Sequence, residues 1–196
     1  KLLLVDLKTM DAGEYEASPF YEAGADICTV LGVSGLPTIA GVIKAANKYN
    51  AEVQVDLINV PDKAGCARES AKLGAQIIGV HTGLDAQAAG QTPFADLQLV
   101  AKLGLPVRIS VAGGIKQSTA QQVARSGAGI VVVGAARLGR RLADQSAAQG
   151  GGDWRVDLQV LRRQFWPVSA IRLSAARGDQ PRRSGCWWRE IVEESA

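Results

Sequence analysis

The chain has 196 residues, 47% of them hydrophobic and 21% charged, with a formal net charge of +3. Those values suit one globular domain with a sizeable core and argue against wholesale disorder. No apolar run approaches the ~18 residues a membrane span needs. Three cysteines without metal-type spacing, Cys28, Cys66 and Cys186, point to a reduced, cytoplasmic protein. The chain opens without Met, straight into Leu2-Leu3-Leu4-Val5, and is expected to be a fragment.

Residues 1–136 alternate short β-branched or Leu-rich runs with helix-forming stretches. A strand is predicted at Leu2–Leu7, a second at Asp26–Leu31, then a helix over Leu36–Tyr49. A third strand at Glu52–Ile58, a helix over Asp62–Leu73 and a fourth strand at Gln76–His81 follow. Pro106–Val111, a helix over Ser118–Arg125 and Gly129–Val133 complete the series. Gly24, Asn50, Gly74, Gly104 and Gly127 each fall between a helical stretch and the next strand. There they supply the left-handed residue that ends a helix. Strands alternating with helices at this step specify a parallel sheet with crossover helices.

Six such units fit either an open doubly wound sheet or part of a closed barrel. On the first strand Leu2, Leu4, Asp6 and Lys8 share one face, and Leu3, Val5 and Leu7 the other. Gln54 and Asp56 oppose Val53, Val55 and Leu57, and His81 opposes Ile78 and Val80. An open sheet covered on both faces would be apolar on both. One apolar face and one face gathering polar groups at the strand ends favour an α/β fold of the (β/α)8 TIM barrel kind, present in part as about six βα units.

The polar groups suggest chemistry. Asp6 and Lys8 would place a carboxylate and an ammonium together at the barrel mouth, with Asp11 closing the motif. The carboxylate suits a hard cation such as Mg²⁺, and the lysine could stabilise a developing oxyanion. Taken alone, the same motif reads more readily as a buried ion pair holding a loop. His81 is the single histidine. A lone histidine is often structural, but its place at the mouth favours proton transfer, since imidazole titrates near neutrality. Gly113 and Gly114 follow the fifth strand, and Gly134 and Ala135 the sixth. Such loops let backbone N–H groups approach a phosphate.

The composition changes near residue 137. Eight Lys and three Arg precede it, whereas eleven Arg, no Lys and all four Trp follow. Residues 137–196 are expected to be a poorly ordered or out-of-frame tail, with at most a helix around Asp157–Phe165. The other reading is an Arg-rich arm that binds nucleic acid, recognisable by steep salt dependence.

The stretches Val5-Asp6-Leu7-Lys8-Thr9-Met10-Asp11-Ala12-Gly13, Thr29-Val30-Leu31-Gly32-Val33, Val55-Asp56-Leu57-Ile58 and His81-Thr82-Gly83-x-Asp85-x-Gln87-Ala88-Ala89-Gly90 resemble the 3-hexulose-6-phosphate synthases. So does Val111-Ala112-Gly113-Gly114-Ile115. These enzymes belong to the orotidine 5′-monophosphate decarboxylase superfamily. The resemblance runs through about residue 136. It implies a Mg²⁺-dependent aldol condensation of formaldehyde with D-ribulose 5-phosphate through a cis-enediolate. Asp6 would then be a metal ligand, Lys8 the enediolate stabiliser, His81 a proton carrier and Asp56 a substrate contact. Gly114, Gly134 and Ala135 would lie at the phosphate, and Asp11 would reach the active site of a partner subunit in a homodimer.

The sister 3-keto-L-gulonate 6-phosphate decarboxylases typically carry Arg at the position of Leu84, Glu at that of Asp56 and Arg at that of Ala135. All three differences favour the synthase. The family begins with two further βα units, one supplying a Glu metal ligand, and ends in an Ala-rich helix. Without them, little or no activity is expected of the isolated chain.

Overall fold

The computed structural model describes residues 2–133, 159–161 and 169–173. Six strands, β1 (Leu2–Thr9), β2 (Ile27–Leu31), β3 (Glu52–Asp56), β4 (Ile77–His81), β5 (Arg108–Ala112) and β6 (Ile130–Val131), run parallel to one another. They lie side by side in chain order. A doubly wound sheet would reverse that order at a switch point; sequential order is that of a partial (β/α) barrel.

Crossover helices connect them: α1 (Gly13–Glu22), α2 (Leu36–Lys48), α3 (Lys63–Leu73), the pair α4 (Leu84–Ala88) and α5 (Phe94–Ala101), and α6 (Gln117–Arg125). The apolar spacing of α2 explains its place: Ile39, Val42, Ile43 and Ala46 form one stripe and all are buried. Asp62 caps α3 by accepting the Gly65 N–H at 2.9 Å. The five expected helix ends all have positive φ: Gly24 at 101°, Asn50 at 53°, Gly74 at 100°, Gly104 at 60° and Gly127 at 99°.

The sheet has the two expected faces. Val5, Cys28, Val30, Val53, Val55, Ile78, Val80 and Val111 pack with helix residues in the main core. The opposite, inner face holds a small apolar cluster of Leu4, Ile27 and Ile77. Toward the strands' C-terminal ends that face turns polar, at Asp6, Thr29, Gln54, Asp56, His81 and Ser110. This gradient places the site at the mouth.

The tail contributes two further strands, β7 (Gln159–Leu161) and β8 (Ser169–Leu173), with β8 antiparallel to β1 and β7 antiparallel to β8. A helix around Asp157–Phe165 is therefore not what Gln159–Leu161 adopts. The free edge of β1 offers unpaired backbone donors and acceptors, and β8 takes them up from Leu2 to Asp6. No helix among the described residues is long and apolar enough to cross a membrane.

Candidate active site

The site begins with an irregularity in β1. Val5 pairs with Cys28 and Thr9 with Val30, so four residue steps on β1 face two on β2. The extra residues form a bulge, and Lys8 absorbs it in a left-handed conformation with φ 50°. A non-glycine residue there costs ~1–2 kcal/mol. Thr29, on the inner face of β2, holds the bulge in place. Its hydroxyl oxygen accepts the Lys8 N–H at 3.0 Å, and its O–H donates to Asp6 Oδ1 at 2.7 Å. Lys8 Nζ consequently lies 2.9 Å from Asp6 Oδ2 and 3.1 Å from Asp56 Oδ2.

Asp56 is the hub. Its side chain is 3% exposed, and its oxygens accept from the Ile58 N–H at 2.9 Å and from Lys8 Nζ. Oδ2 also meets His81 Nδ1 at 2.9 Å. Burial pushes the Asp56 carboxyl upward, but the hydrogen bond and charge of His81, then Lys8 and the Ile58 N–H, outweigh it and hold the carboxyl below its ordinary range. Burial likewise works against the charged Lys8 ammonium, and the carboxylates of Asp56 and Asp6 reverse it, raising the lysine above its ordinary value. Lys8 therefore stays a cation at the mouth. With its Nδ1 held by Asp56, His81 presents Nε2 as the nitrogen available for proton exchange.

Next to this cluster, Gly113 and Gly114 follow β5 with φ of 103° and 67°. A Cβ on Gly113 would run into the Thr82 carbonyl oxygen, so a side chain is excluded by contact as well as by backbone conformation. The same Thr82 carbonyl accepts from Gln87 Nε2 at 2.7 Å. A Cβ on Gly114 would come 3.3 Å from Gln87 Oε1. Gln87 thus braces the turn after β4, with its side chain lying against Gly114.

The structure therefore brings Asp6, Lys8, Asp56 and His81 together and sets Gly113 and Gly114 on the neighbouring loop. Asp11 lies in the exposed turn between β1 and α1, apart from the cluster. Gly134 and Ala135 lie outside the described residues. Sequence reasoning does not single out Thr29 and Gln87 as site residues, although both fall within the stretches that carry the resemblance. The clue for Thr29 is a hydroxyl on the inner face of an otherwise apolar strand.

Whether these residues suit Mg²⁺ depends on their donors. Among the described residues no group of three or more His, Cys, Asp or Glu could hold a metal. Asp6 is a hard oxygen donor whose side chain is 19% exposed. One carboxylate supplemented by water and substrate oxygens is a common Mg²⁺ environment, and the carboxylate of Asp6 is of a kind that fits it.

The sequence profile of the Orotidine 5'-phosphate decarboxylase / HUMPS family matches residues 1–148. The 3-hexulose-6-phosphate synthase of Methylomonas aminofaciens is 66% identical over 146 residues, covering 74% of this chain and 69% of the relative. Among solved structures, 3-hexulose-6-phosphate synthase from Salmonella typhimurium superposes with a TM-score of 0.65 at 43% identity, over 67% of this chain and 62% of that one. KGPDC from Streptococcus mutans, in one of its crystal structures, gives a TM-score of 0.62 at 26% identity, over 68% and 63%. The chain thus spans about three-fifths to two-thirds of these relatives' lengths. Profile, identity and fold agree with one another, and the chain belongs to the Orotidine 5'-phosphate decarboxylase / HUMPS family.

Proposed function

We propose that this chain carries the catalytic face of a 3-hexulose-6-phosphate synthase, which joins formaldehyde to D-ribulose 5-phosphate. The observation that carries the reading is the continuous chain Asp6–Lys8–Asp56–His81, with every link between 2.9 and 3.1 Å. The reaction needs a proton removed from carbon 1 of the sugar. It then needs the resulting enediolate stabilised while its carbon attacks formaldehyde, and a proton delivered to the formaldehyde oxygen. His81 Nε2 carries the proton, with Asp56 fixing the ring and its tautomer through Nδ1. The Lys8 ammonium, kept charged by two carboxylates, faces the negative oxygen of the enediolate.

Asp6 would hold Mg²⁺, which when bound supplies Lewis-acid polarisation of substrate oxygens. The loop at Gly113 and Gly114, together with Gly134 and Ala135, takes the phosphate. Asp11, exposed in the turn between β1 and α1, serves the site of a second copy in a homodimer.

The runner-up is 3-keto-L-gulonate 6-phosphate decarboxylase, favoured by the likeness to KGPDC. Leu84, three residues after His81, is 81% exposed and offers no cation for a departing carboxylate. The higher identity of the synthases supports condensation.

The test gives the purified chain formaldehyde plus D-ribulose 5-phosphate in one reaction and 3-keto-L-gulonate 6-phosphate in another. Condensation faster than CO₂ release, and lost in Lys8→Ala, supports the proposal whatever the absolute rate. CO₂ release as the faster reaction installs the runner-up. Neither reaction, together with no binding of D-ribulose 5-phosphate, removes both.

A further inference from the structure

The residue that links His81 to the glycine loop is Thr82, and its backbone is held from three sides. Its N–H donates to the Ala112 carbonyl at 3.2 Å, which carries the pairing of His81 with Ala112 one step beyond β4. Its carbonyl oxygen packs against Gly113: a Cβ on that glycine would overlap the oxygen and come 3.1 Å from the Thr82 carbonyl carbon and Cβ. The same oxygen accepts from Gln87 Nε2 at 2.7 Å. Thr82 is buried, so a carbonyl released by Gln87 would find little water to replace the bond.

Gln87 reaches back from the helix that follows. Its N–H donates to the Gly83 carbonyl at 2.9 Å, which opens α4 directly after the turn and sets position 87 one helical turn beyond Gly83. From there the side chain returns to residue 82. A carbonyl oxygen can only accept, so the amide nitrogen must face Thr82, and the amide oxygen then faces Gly114. Nothing in α4 is buried, and Gln87 itself is half-buried. The bond therefore does not hold the core together. What it holds is the peptide after His81, against the first glycine of the neighbouring loop.

We propose that Gln87 is a positioning residue: through the Thr82 carbonyl it sets the spacing between His81, which moves the proton, and the Gly113–Gly114 loop, which takes the phosphate. The sugar is anchored at its phosphate and reacts at carbon 1, the far end of its carbon chain. An error in the spacing therefore shifts the reacting carbon relative to His81 Nε2. The link to the reaction rests on the phosphosugar reading given above; the brace itself does not. Gln87 acts through Thr82 and touches no reacting atom.

The experiment reads brace and reaction separately, on the full chain. Amide hydrogen exchange by NMR follows the brace. In the unaltered chain the Gln87 side-chain N–H bonded to Thr82 is expected to exchange about tenfold more slowly than a free amide. In Gln87→Met, which keeps the length and drops the donor, the Thr82 N–H is expected to exchange about tenfold faster, while Val55 of β3 keeps its rate. Condensation of formaldehyde with D-ribulose 5-phosphate in magnesium buffer follows the reaction. Gln87→Met is expected to lower kcat by about tenfold to a hundredfold. KM for the phosphosugar should change by less than about threefold, because the loop backbone and Lys8 are left in place.

Gln87 side-chain protons that exchange as in a free amide, or a Thr82 rate unchanged in Gln87→Met, overturn the brace. Faster Thr82 exchange with unchanged kcat, or with a loss confined to KM, overturns its part in the reaction. A Gln87→Met chain that fails to fold shows a side chain needed for the core, which overturns a positioning role. If the unaltered chain neither binds nor condenses D-ribulose 5-phosphate, the phosphosugar reading fails and takes the link to the reaction with it; the brace then stands or falls on the exchange rates.

Discussion

Replacing Asp56 by Asn tests whether the carboxylate charge, and not the side chain's shape, organises the site. The substitution keeps the volume and the oxygen that can accept the Ile58 N–H. It removes the charge that faces Lys8 Nζ at 3.1 Å and His81 Nδ1 at 2.9 Å. Each such charge-assisted hydrogen bond contributes ~1.5–3 kcal/mol. Lys8 is 38% exposed and keeps Asp6 as a partner, which cuts its share, and burying an amide is easier than burying a carboxylate. The net loss of folding stability at neutral pH is expected to be about 1–3 kcal/mol. The pH dependence sharpens the test. The folded Asp56 carboxyl is held below its ordinary value, near ~3.9 in the unfolded chain. Its contribution is therefore present above ~pH 4 and lost as pH falls through the lower, folded value. Urea unfolding from pH 7 down to pH 3 should show the gap between wild type and Asp56→Asn closing on acidification. A gap that stays constant over that range would falsify the charge argument. In the condensation assay the same variant frees the His81 ring and its tautomer, and a rate loss of about 10²–10⁴-fold is expected.

Three further substitutions probe the frame around the cluster. Thr29→Val keeps the shape of the side chain but strips the Lys8 N–H of its acceptor and Asp6 of a donor. It should cost ~1–3 kcal/mol in chemical denaturation, and an unchanged midpoint would show that the bulge holds without it. Asn50→Ala puts an alanine at φ 53° and should lower stability by ~1 kcal/mol, while Asn50→Gly should leave it equal or higher; the two thermal midpoints give the order. Gly113→Ala combines φ 103° with contact against the Thr82 carbonyl. It should weaken D-ribulose 5-phosphate binding well beyond tenfold in a titration, and wild-type affinity would separate this loop from the phosphate.

The parts legible in the sequence are those fixed by short-range stereochemistry. Gly24, Asn50, Gly74, Gly104 and Gly127 mark helix ends because few residues accept positive φ, and all five adopt it. The strand faces are legible because alternation follows from the pleat. Val53 and Val55 against Gln54 and Asp56 can be assigned before any coordinates exist. Barrel against open sheet is decided by the same alternation, since polar residues cluster on one face only near the strand ends. The tail is not legible in this way. Ser169–Leu173 becomes a strand through hydrogen bonds offered by the edge of β1, a partner more than 150 residues away in sequence, and Gln159–Leu161 then pairs with Ser169–Leu173.

Asp6 and Lys8 show how a correct expectation can rest on an incomplete reason. Strict alternation puts both on one face, and both do reach the same carboxylate cluster. Yet β1 is not regular between them: the register slips after Val5, and Lys8 turns left-handed. In an unbulged strand two residues of one face are separated by about 6.6 Å along the strand, and Lys8 Nζ would have to fold back to touch Asp6. The bulge shortens that path, and Thr29 makes it stable by serving the displaced N–H and the Asp6 carboxylate with one hydroxyl. The strained lysine is thus explained by what it reaches. A residue with a costly backbone at the centre of a charged cluster, supported by a neighbour whose hydroxyl has no other task, is the arrangement expected where geometry is selected for chemistry and not for stability. An ion pair that merely held the loop would need neither the bulge nor Thr29. Alternation alone leaves the Asp6–Lys8 motif open between loop staple and catalytic centre; the bulge favours the catalytic centre.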